Sequence, residues 1–317
     1  MPRMSTQCLA VTLGDPRGIG PEVVGSAIRH LREQGDDTEF ILVGPDELDP
    51  GLGTYEGVGR FDGTEPSAGV LSARAVERAV HLALAGTASG IVTGPIHKPA
   101  LRAAGLVEHG HTEMLQGITG ASEVGMLMAA EETRMGAPLR VLLATTHVPL
   151  RCVPDLLSAD LLVSQALLLK SSLEAHWNIA RPQIALCALN PHASDGGLFG
   201  DEEDRVFRPA VGTLRRAGVE VEGPIPADTV FNRTLNGEYD AVIAPYHDVG
   251  MAPFKTVAFG TGVNVTLGLP FIRTSPVHGT AFEIVGTGRA DPSSMQAAIR
   301  MAARLVIGRF DTLAAHM

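Results

Sequence analysis

The chain is poor in aromatic residues, in cysteine and in positive charge, and each shortage narrows the range of functions. Aromatic residues make up 4% of the 317 residues, which argues against a surface on which bases or sugar rings stack. Three cysteines without C-x-x-C spacing predict a reducing compartment and no disulfide framework. The net charge of −10 argues against nonspecific binding to nucleic acid or to an anionic membrane.

Long apolar runs are also missing. None reaches the roughly 18 residues that a membrane-spanning helix needs, and the N-terminal residues do not have the pattern of a signal peptide. We therefore expect a cytoplasmic protein that binds neither membranes nor nucleic acid. The chain has only three lysines, Lys98, Lys170 and Lys255, and each supplies a compact charge that arginine cannot replace.

Apolar runs alternate with amphipathic helical patterns along most of the chain. Such alternation predicts an α/β protein with a mainly parallel sheet covered by helices on both faces. A chain of this length suits two domains. We expect residues 1–125 with roughly 285–317 to form the first α/β/α domain and residues 126–284 to form the second. Residues 50–70 are predicted to be loop with short strands, followed by a helix from Ser72.

Imidazole and ammonium groups follow four predicted strands at the point where each strand ends. His147 follows LRVLLATT, His192 follows PQIALCALNP, His247 follows DAVIAPY, and His97 and Lys98 follow GIVTGPI. Ligands of open α/β sheets bind beyond the carboxyl ends of the strands. Three neutral imidazoles can hold a catalytic divalent metal with positions left open for substrate. Any one histidine is equally compatible with a hydrogen-bonded loop, but the set of three favours a metal site.

The glycine-rich turn GDPRGIGPEV follows the first strand and opens a helix. It lacks the dinucleotide fingerprint, because Val23 occupies the third glycine position. Its spacing alone is typical of a tight connection between a strand and a helix.

A second turn, EHGHTEML, places His111 and Thr112 at the start of a predicted helix. Backbone N–H groups there could hold an anion, although a simple helix cap by Thr112 fits equally well. Lys255 and Arg273 would add positive charge near the same edge. Arg273 could bind a carboxylate or phosphate through two parallel hydrogen bonds, while a single arginine in such a place is more often a surface charge.

Several stretches, in one order over nearly the whole chain, resemble the 4-hydroxythreonine-4-phosphate dehydrogenase family of vitamin B6 biosynthesis. They are LGDPRGIGPE, TGPIHK, GHTE, ATTHVPL, NPHASDGG, PADT, YHD and GVNVTLGLPFIRTSPVHGTA. More distantly, GIGPE and HGTAFEIVGTG resemble the isocitrate and isopropylmalate dehydrogenases, which bind a nicotinamide cofactor without the usual glycine motif. The resemblance implies their two-domain fold, with an active site in the cleft and at a homodimer interface.

The resemblance also implies roles for individual residues. His147, His192 and His247 match metal ligands, with both subunits contributing to each site. The matching substrate contacts are His111, Thr112, Lys255, Asn264 and Arg273. The matching cofactor loop contains His278, Gly279, Thr280, Ala281 and Glu283. The implied cofactors are NAD or NADP and one divalent metal per site, which could be zinc, magnesium, manganese or cobalt.

The expected reaction is metal-dependent oxidation of 4-phosphohydroxy-L-threonine by NAD(P), with decarboxylation to 3-amino-2-oxopropyl phosphate in pyridoxal phosphate biosynthesis. Asp228, Asp248 and Lys255 are candidate bases, although Asp248 better suits the orientation of His247. A 4-phospho-D-threonate or 4-phospho-D-erythronate dehydrogenase of sugar-acid catabolism is an alternative. A metal-dependent hydrolase or lyase without redox chemistry, and a protein that binds without catalysis, are further alternatives.

Four residues depart from the pattern of the family. Arg17 stands where a small residue is usual, and Val249 stands where glutamine commonly follows YHD. Pro276 and Val277 occupy a loop that usually carries an aspartate. Because these residues belong to the substrate and cofactor loops, the resemblance supports the dehydrogenase chemistry more strongly than it supports one substrate.

Overall fold

The computed structural model describes residues 8–107 and 110–315, which divide into two units. Unit 1 comprises Met1–Val124 and Leu269–Phe310, and unit 2 comprises Gly125–Gly268 and Asp311–Met317. The chain thus returns to unit 1 at Leu269, earlier than the sequence position near 285 at which we placed this return.

Unit 1 is built on parallel strands. Its strands are β1 (Cys8–Thr12), β2 (Glu39–Gly44), β3 (Thr54–Gly57), β4 (Gly90–Thr93) and β11 (Ile272–Pro276). Its helices are α1 (Gly20–Glu33), α2 (Glu65–Leu84), α3 (Lys98–Ala103), α4 (His111–Thr119) and most of α10 (Ser293–Ala315). The strand order is β3-β2-β1-β4-β11, and every pair is parallel.

The core of unit 1 explains why its strands read as continuous apolar runs. Leu9, Ala10 and Val11 of β1 are fully buried, as expected for a parallel strand covered on both faces. Helix α2 packs on this sheet through a row of alanine and valine side chains. The helix begins at Glu65, seven residues earlier than we predicted, because the Thr64 hydroxyl accepts a hydrogen bond from the Ser67 N–H (3.3 Å) and caps a polar first turn.

Unit 2 has a mixed sheet. Its strands are β5 (Gly125–Ala130), β6 (Leu139–Leu143), β7 (Ile184–Cys187), β8 (Val221–Ile225), β9 (Ala241–Ala244) and β10 (Val263–Leu267). Its helices are α5 (Val153–Leu156), α6 (Ala159–Trp177), α7 (Arg208–Arg216), α8 (Ala227–Leu235) and α9 (His247–Ala258). The strand order is β10-β5-β6-β9-β7-β8. Strand β5 runs antiparallel to both of its neighbours, and the remaining pairs are parallel.

Strand β9 lies between β6 and β7 and is parallel to both. The residues that follow these three strands therefore emerge at the same edge of the sheet. They include His147 after β6, His192 after β7 and His247 after β9. The predicted clustering of strand ends is thus a direct result of the parallel pairing.

The predicted α/β class with a mainly parallel sheet is confirmed. The sequence analysis missed β5, β8 and β11. Strand β5 (GMLMAA) is rich in methionine and alanine, which favour helices, and the apolar runs of β8 (VEGPI) and β11 (IRTSP) are interrupted by polar residues and proline. In the described ranges, no single helix is long and apolar enough to cross a membrane. One pair, Leu150–Leu156 and Ala159–Trp177, meets the length and composition criteria jointly but is bent by 89°.

Gly250 allows helix α9 to approach the sheet closely. A Cβ atom at this position would lie 2.7 Å from Leu143 Cδ2 and 2.9 Å from Ala244 Cβ. We expect Gly250→Ala to lower the free energy of unfolding by about 1–3 kcal/mol, because overpacking outweighs the better helix propensity of alanine.

The midpoint of urea unfolding measures this effect, and Gly212→Ala in α7 is the matched control. A Cβ atom at Gly212 would meet only the flexible Arg216 side chain at 3.4 Å. Gly212→Ala should therefore leave stability unchanged or raise it by up to about 1 kcal/mol. Equal effects of the two substitutions would contradict close packing at Gly250.

Candidate active site

Two of the three predicted metal ligands form a pair in unit 2. The ring centroids of His147 and His247 lie 5.3 Å apart, and the ring planes are tilted by 43°. Both imidazoles line a cavity of about 130 Å³, whose other walls include Val153 and Tyr246. Two imidazoles in one small cavity at the edge of a parallel sheet form part of a donor set that suits a divalent transition metal.

Asp248 contacts the His247 ring. Its Oδ1 atom lies 2.7 Å from His247 Nδ1. When Nδ1 carries the proton and donates a hydrogen bond to the carboxylate, the lone pair on Nε2 is available for a metal ion. This contact agrees with the orienting role that we favoured for Asp248.

His192 does not join this pair within one chain. It is exposed, and it lies in a turn after β7 where its own φ is +52°. Within residues 8–107 and 110–315, no three His, Cys, Asp or Glu side chains form a group that could hold a metal ion. Within one chain, the described residues therefore bring together two of the three predicted ligands, His147 and His247.

Three other predicted residues occupy different parts of unit 2. Asp228 is exposed in the first turn of α8, which follows β8. Lys255 is exposed in the last turn of α9, eight residues and about 12 Å along the helix axis from His247. Asn264 lies on β10, and its Oδ1 atom is buried without a hydrogen-bond partner. A buried amide oxygen of this kind costs free energy, which suggests that a ligand donates to it.

Arg273 is a buried cation in unit 1. It lies on β11 with only 2% of its surface exposed, and its Nη2 donates to the Thr93 hydroxyl (2.6 Å). Burial lowers the pKa of Arg273 to about 9, so the guanidinium remains charged at neutral pH. A buried charge on a strand is costly unless an anion or a set of acceptors compensates it. Arg273 is therefore not the surface charge that was the alternative interpretation.

His111 lies in the same electrostatic environment. Burial, and then the positive charges of Arg273 and Lys98, lower the pKa of His111 well below its usual value. The imidazole is therefore neutral at pH 7, and its buried Nε2 has no hydrogen-bond partner among the residues that the structure describes. A neutral imidazole and cations together suit an anionic ligand with hydroxyl or phosphate oxygens.

Thr112 and Lys98 complete this part of unit 1. Gly110, and not Thr112, is the N-cap of α4, and no side chain among residues 8–107 and 110–315 caps the helix. The alternative that Thr112 serves only as a helix cap is therefore wrong. A Cβ atom at Gly110 would lie 3.4 Å from Lys98 Cε, so glycine at this position leaves room for the lysine. The sequence analysis noted Lys98 as a strand-end cation but gave it no role in a site.

The glycine-rich turn packs directly on the predicted cofactor loop, both in unit 1. The Ile19 N–H donates to the Thr280 carbonyl (2.9 Å), and the Gly286 N–H donates to Glu22 Oε2 (3.2 Å). A Cβ atom at Gly18 would lie 2.8 Å from the Thr280 carbonyl oxygen. Glycine is thus required here by the close approach of two loops, a requirement that the spacing of the motif did not reveal.

Arg17 links the turn to this loop. Its guanidinium forms two hydrogen bonds with the buried Asp15 carboxylate (3.1 and 2.9 Å) and lies 3.4 Å from Glu65. It also lies over the Phe282 ring, 5.2 Å from the centroid, where a cation–π contact is favourable. Arg17, where the family usually has a small residue, therefore has a well-defined structural role.

The remaining predicted cofactor residues belong to the same loop. The His278 Nδ1 atom contacts the Gly279 carbonyl (3.0 Å), and its Nε2 is buried without a hydrogen-bond partner. Ala281 has a φ of +44° and precedes a short 3₁₀ turn at Phe282–Ile284 that includes the exposed Glu283. The five residues therefore belong to one continuous segment, in which Gly279 and Glu283 are exposed and Thr280 is buried.

Comparisons with known proteins agree on one family. The model of the pyridoxal phosphate biosynthetic protein PdxA family matches residues 37–302. A 4-hydroxythreonine-4-phosphate dehydrogenase from Beijerinckia indica is 42% identical, over 94% of this chain and 95% of the relative. The crystal structure of 4-hydroxythreonine-4-phosphate dehydrogenase from Klebsiella pneumoniae is 36% identical with a TM-score of 0.84, over 95% of this chain and 98% of that one.

A more distant likeness concerns the fold alone. A β-decarboxylating dehydrogenase from Thermococcus kodakarensis is 14% identical with a TM-score of 0.55, over 98% of this chain and 97% of that one. The two resemblances expected from the sequence motifs are thereby confirmed.

Asp248→Asn tests the orientation of His247. We expect metal affinity to fall about 10- to 100-fold, because an amide no longer fixes the Nδ1 proton as a carboxylate does. Equilibrium dialysis with zinc measures the change. Asp160→Asn is the matched control, since Asp160 is also exposed in the first turn of a helix, α6. Unchanged metal affinity in Asp248→Asn would show that the carboxylate does not act through His247.

Proposed function

Because the chain belongs to the pyridoxal phosphate biosynthetic protein PdxA family, we propose that it oxidises 4-phosphohydroxy-L-threonine with NAD or NADP. Loss of carbon dioxide from the keto acid would then give 3-amino-2-oxopropyl phosphate. The chain is a dehydrogenase that acts on a CH–OH group, so the alternatives without redox chemistry no longer apply. The observation that carries the proposed chemistry is the His147–His247 pair beside Asp248.

A divalent metal suits these residues. His147 and His247 would hold it, and His192 of the partner subunit would be the third ligand. When bound, such an ion acidifies the substrate hydroxyl and stabilises negative charge on oxygen. The protein's own contribution is to present two imidazoles in one cavity and to keep the His247 Nδ1 proton on the Asp248 side.

A second copy of this chain would cover apolar side chains near the histidines. Val148, Leu150 and Leu156, which follow His147, are 37%, 64% and 48% exposed. Leu198 and Phe199, which follow His192, are 72% and 46% exposed. Apolar side chains that flank both histidine loops support a homodimer in which each site takes ligands from both subunits.

The substrate's anionic groups would bind the basic residues. Arg273 supplies a buried guanidinium, and the neutral His111 with Thr112 lies at the start of α4. Asn264 offers a buried Oδ1 acceptor, and Lys255 adds an exposed ammonium group. Phosphate and carboxylate groups match such donors through charge-assisted hydrogen bonds.

The proton transfers have three candidate groups. Asp248 already contacts His247, which supports it as the residue that orients the imidazole. Asp228 and Lys255 are the remaining candidates for the base, and both are exposed, as Asp248 also is. Asp228 follows β8 at the same edge of the sheet as the histidine pair.

The nicotinamide cofactor would bind the loop that contains His278, Gly279, Thr280, Ala281 and Glu283. The contacts of this loop with the glycine-rich turn support the proposal, because they explain a glycine motif that lacks the dinucleotide fingerprint. We keep the cytoplasm as the proposed location, and the three free cysteines support a reducing compartment.

The proposed substrate is tested by measuring the absorbance of the reduced nicotinamide as it forms. Purified protein with a divalent metal and NAD or NADP would receive 4-phosphohydroxy-L-threonine and 4-phospho-D-threonate in parallel. We expect reduction with the first substrate and little with the second. Reduction with the second alone would instead assign the chain to sugar-acid catabolism with the same site.

His147→Ala tests the metal in the same assay. We expect it to remove most bound metal and nearly all turnover while the far-ultraviolet circular dichroism is unchanged, because His147 is an exposed loop residue. His30→Ala, an exposed histidine on α1, is the control and should behave as the wild type. Full activity of His147→Ala in metal-free buffer would contradict the metal-dependent mechanism.

Arg273→Met tests the anion contact while it keeps most of the buried volume. Loss of a hydrogen bond to a charged group costs about 1.5–3 kcal/mol, so KM should rise about 10- to 100-fold with kcat little changed. Arg140→Met is the control, because Arg140 is also a buried arginine and forms an ion pair with Glu131 (2.8 Å). It should lower stability and leave KM unchanged. A fall in kcat at constant KM in Arg273→Met would place the contact in the transition state alone.

A further inference from the structure

The turn that carries His192, residues 189–197, has an unusual backbone. His192, Ala193, Ser194 and Asp195 all have positive φ angles, between +45° and +71°. For residues other than glycine, the left-handed region costs roughly 1–2 kcal/mol each. Four such residues in succession persist only when contacts elsewhere determine the turn. We call residues 189–197 the His192 turn.

One carboxylate makes most of those contacts. Glu203 is fully buried, and its Oε1 accepts hydrogen bonds from the Leu189 N–H (2.9 Å) and the Asn190 N–H (2.7 Å). Its Oε2 accepts from Asn190 Nδ2 (2.9 Å) and from the Ser194 hydroxyl. Both oxygen atoms of one side chain thus bind the turn on either side of His192.

These hydrogen bonds also compensate the charge of Glu203. Burial alone would raise the pKa of Glu203, but the hydrogen bonds from Asn190 and Ser194 outweigh it and hold the pKa below its usual value. Across residues 8–107 and 110–315, no lysine, arginine or histidine forms an ion pair with Glu203. The hydrogen bonds of the turn therefore stabilise the buried carboxylate, and the carboxylate in turn holds the backbone of the turn.

We propose that Glu203 is a positioning residue that holds the His192 turn, and so sets the place of the His192 imidazole in the metal site. The inference rests on the proposed function, in which His192 is a metal ligand. A carboxylate buried beneath an exposed ligand of this kind determines where the imidazole points.

Glu203→Gln tests the proposal at constant size. The amide group of glutamine would direct N–H donors at Asn190 Nδ2 or the Ser194 hydroxyl, so the turn loses acceptors on one side. We expect faster hydrogen exchange of the Leu189 and Asn190 amides in the metal-free protein. We also expect zinc affinity to fall about 10- to 100-fold, and the visible spectrum of the cobalt(II)-substituted protein to change.

Two further variants keep the test decisive if Glu203→Gln folds poorly. Ser194→Ala removes one of the four hydrogen bonds and should weaken zinc binding in the same direction by a smaller factor. Glu202→Gln is the matched control, because Glu202 accepts only from Asn190 Nδ2 (2.7 Å) and leaves the bonds to Glu203 intact. It should bind zinc as the wild type does.

His192→Ala separates the two ways in which the proposal could fail. If His192→Ala binds zinc as the wild type does, the proposed ligand set is wrong. If it loses zinc while Glu203→Gln and Ser194→Ala keep wild-type affinity, cobalt spectrum and amide exchange, the ligand set stands and the positioning role is overturned. A lower melting temperature of Glu203→Gln with unchanged zinc affinity would likewise reduce Glu203 to a purely structural residue.

Discussion

The parallel pairing of β9 with both β6 and β7 determines where this chain can carry out chemistry. Parallel strands deliver their carboxyl ends to one edge, so His147 and His247 meet there although 100 residues separate them in sequence. The same pairing brings the His192 turn to that edge. Exchange of the middle strand for an antiparallel one would send its histidine to the opposite edge and separate the pair.

In unit 1, the main constraint is the close contact of two loops. The turn at Gly18 and Gly20 has to lie against Thr280 and Leu13 at distances that no side chain permits. In the usual dinucleotide-binding motif, glycines make room for a ligand. In unit 1 they make room for another segment of the protein, and that segment is the one expected to bind the cofactor.

Elements with a complete apolar pattern were predicted from the sequence. Elements whose bounds depend on a helix cap or on a buried polar side chain were not. Strands β4, β6, β7 and β9 are continuous apolar runs and were predicted correctly. The start of α2 depends on the Thr64 cap, and β11 contains a buried arginine, so apolar periodicity revealed neither. For the candidate site, strand ends pointed to the histidines, and resemblance alone supplied the role of Asn264. The contact between Glu203 and the His192 turn could not be predicted, because nothing in the spacing of the two segments indicates that one is buried under the other.

The ion pairs of Arg17 reduce the electrostatic attraction that its charge could exert on a dinucleotide. Its charge is matched by the carboxylates of Asp15 and Glu65, so the turn before α1 carries no excess positive charge. A pyrophosphate there would depend on backbone N–H groups, whose dipoles act over a short range. The capture of the proposed cofactor would then vary little with ionic strength. The capture of a phosphorylated substrate by the exposed Lys255 would weaken as salt is added, so the two ligands of one enzyme would differ in their response to salt.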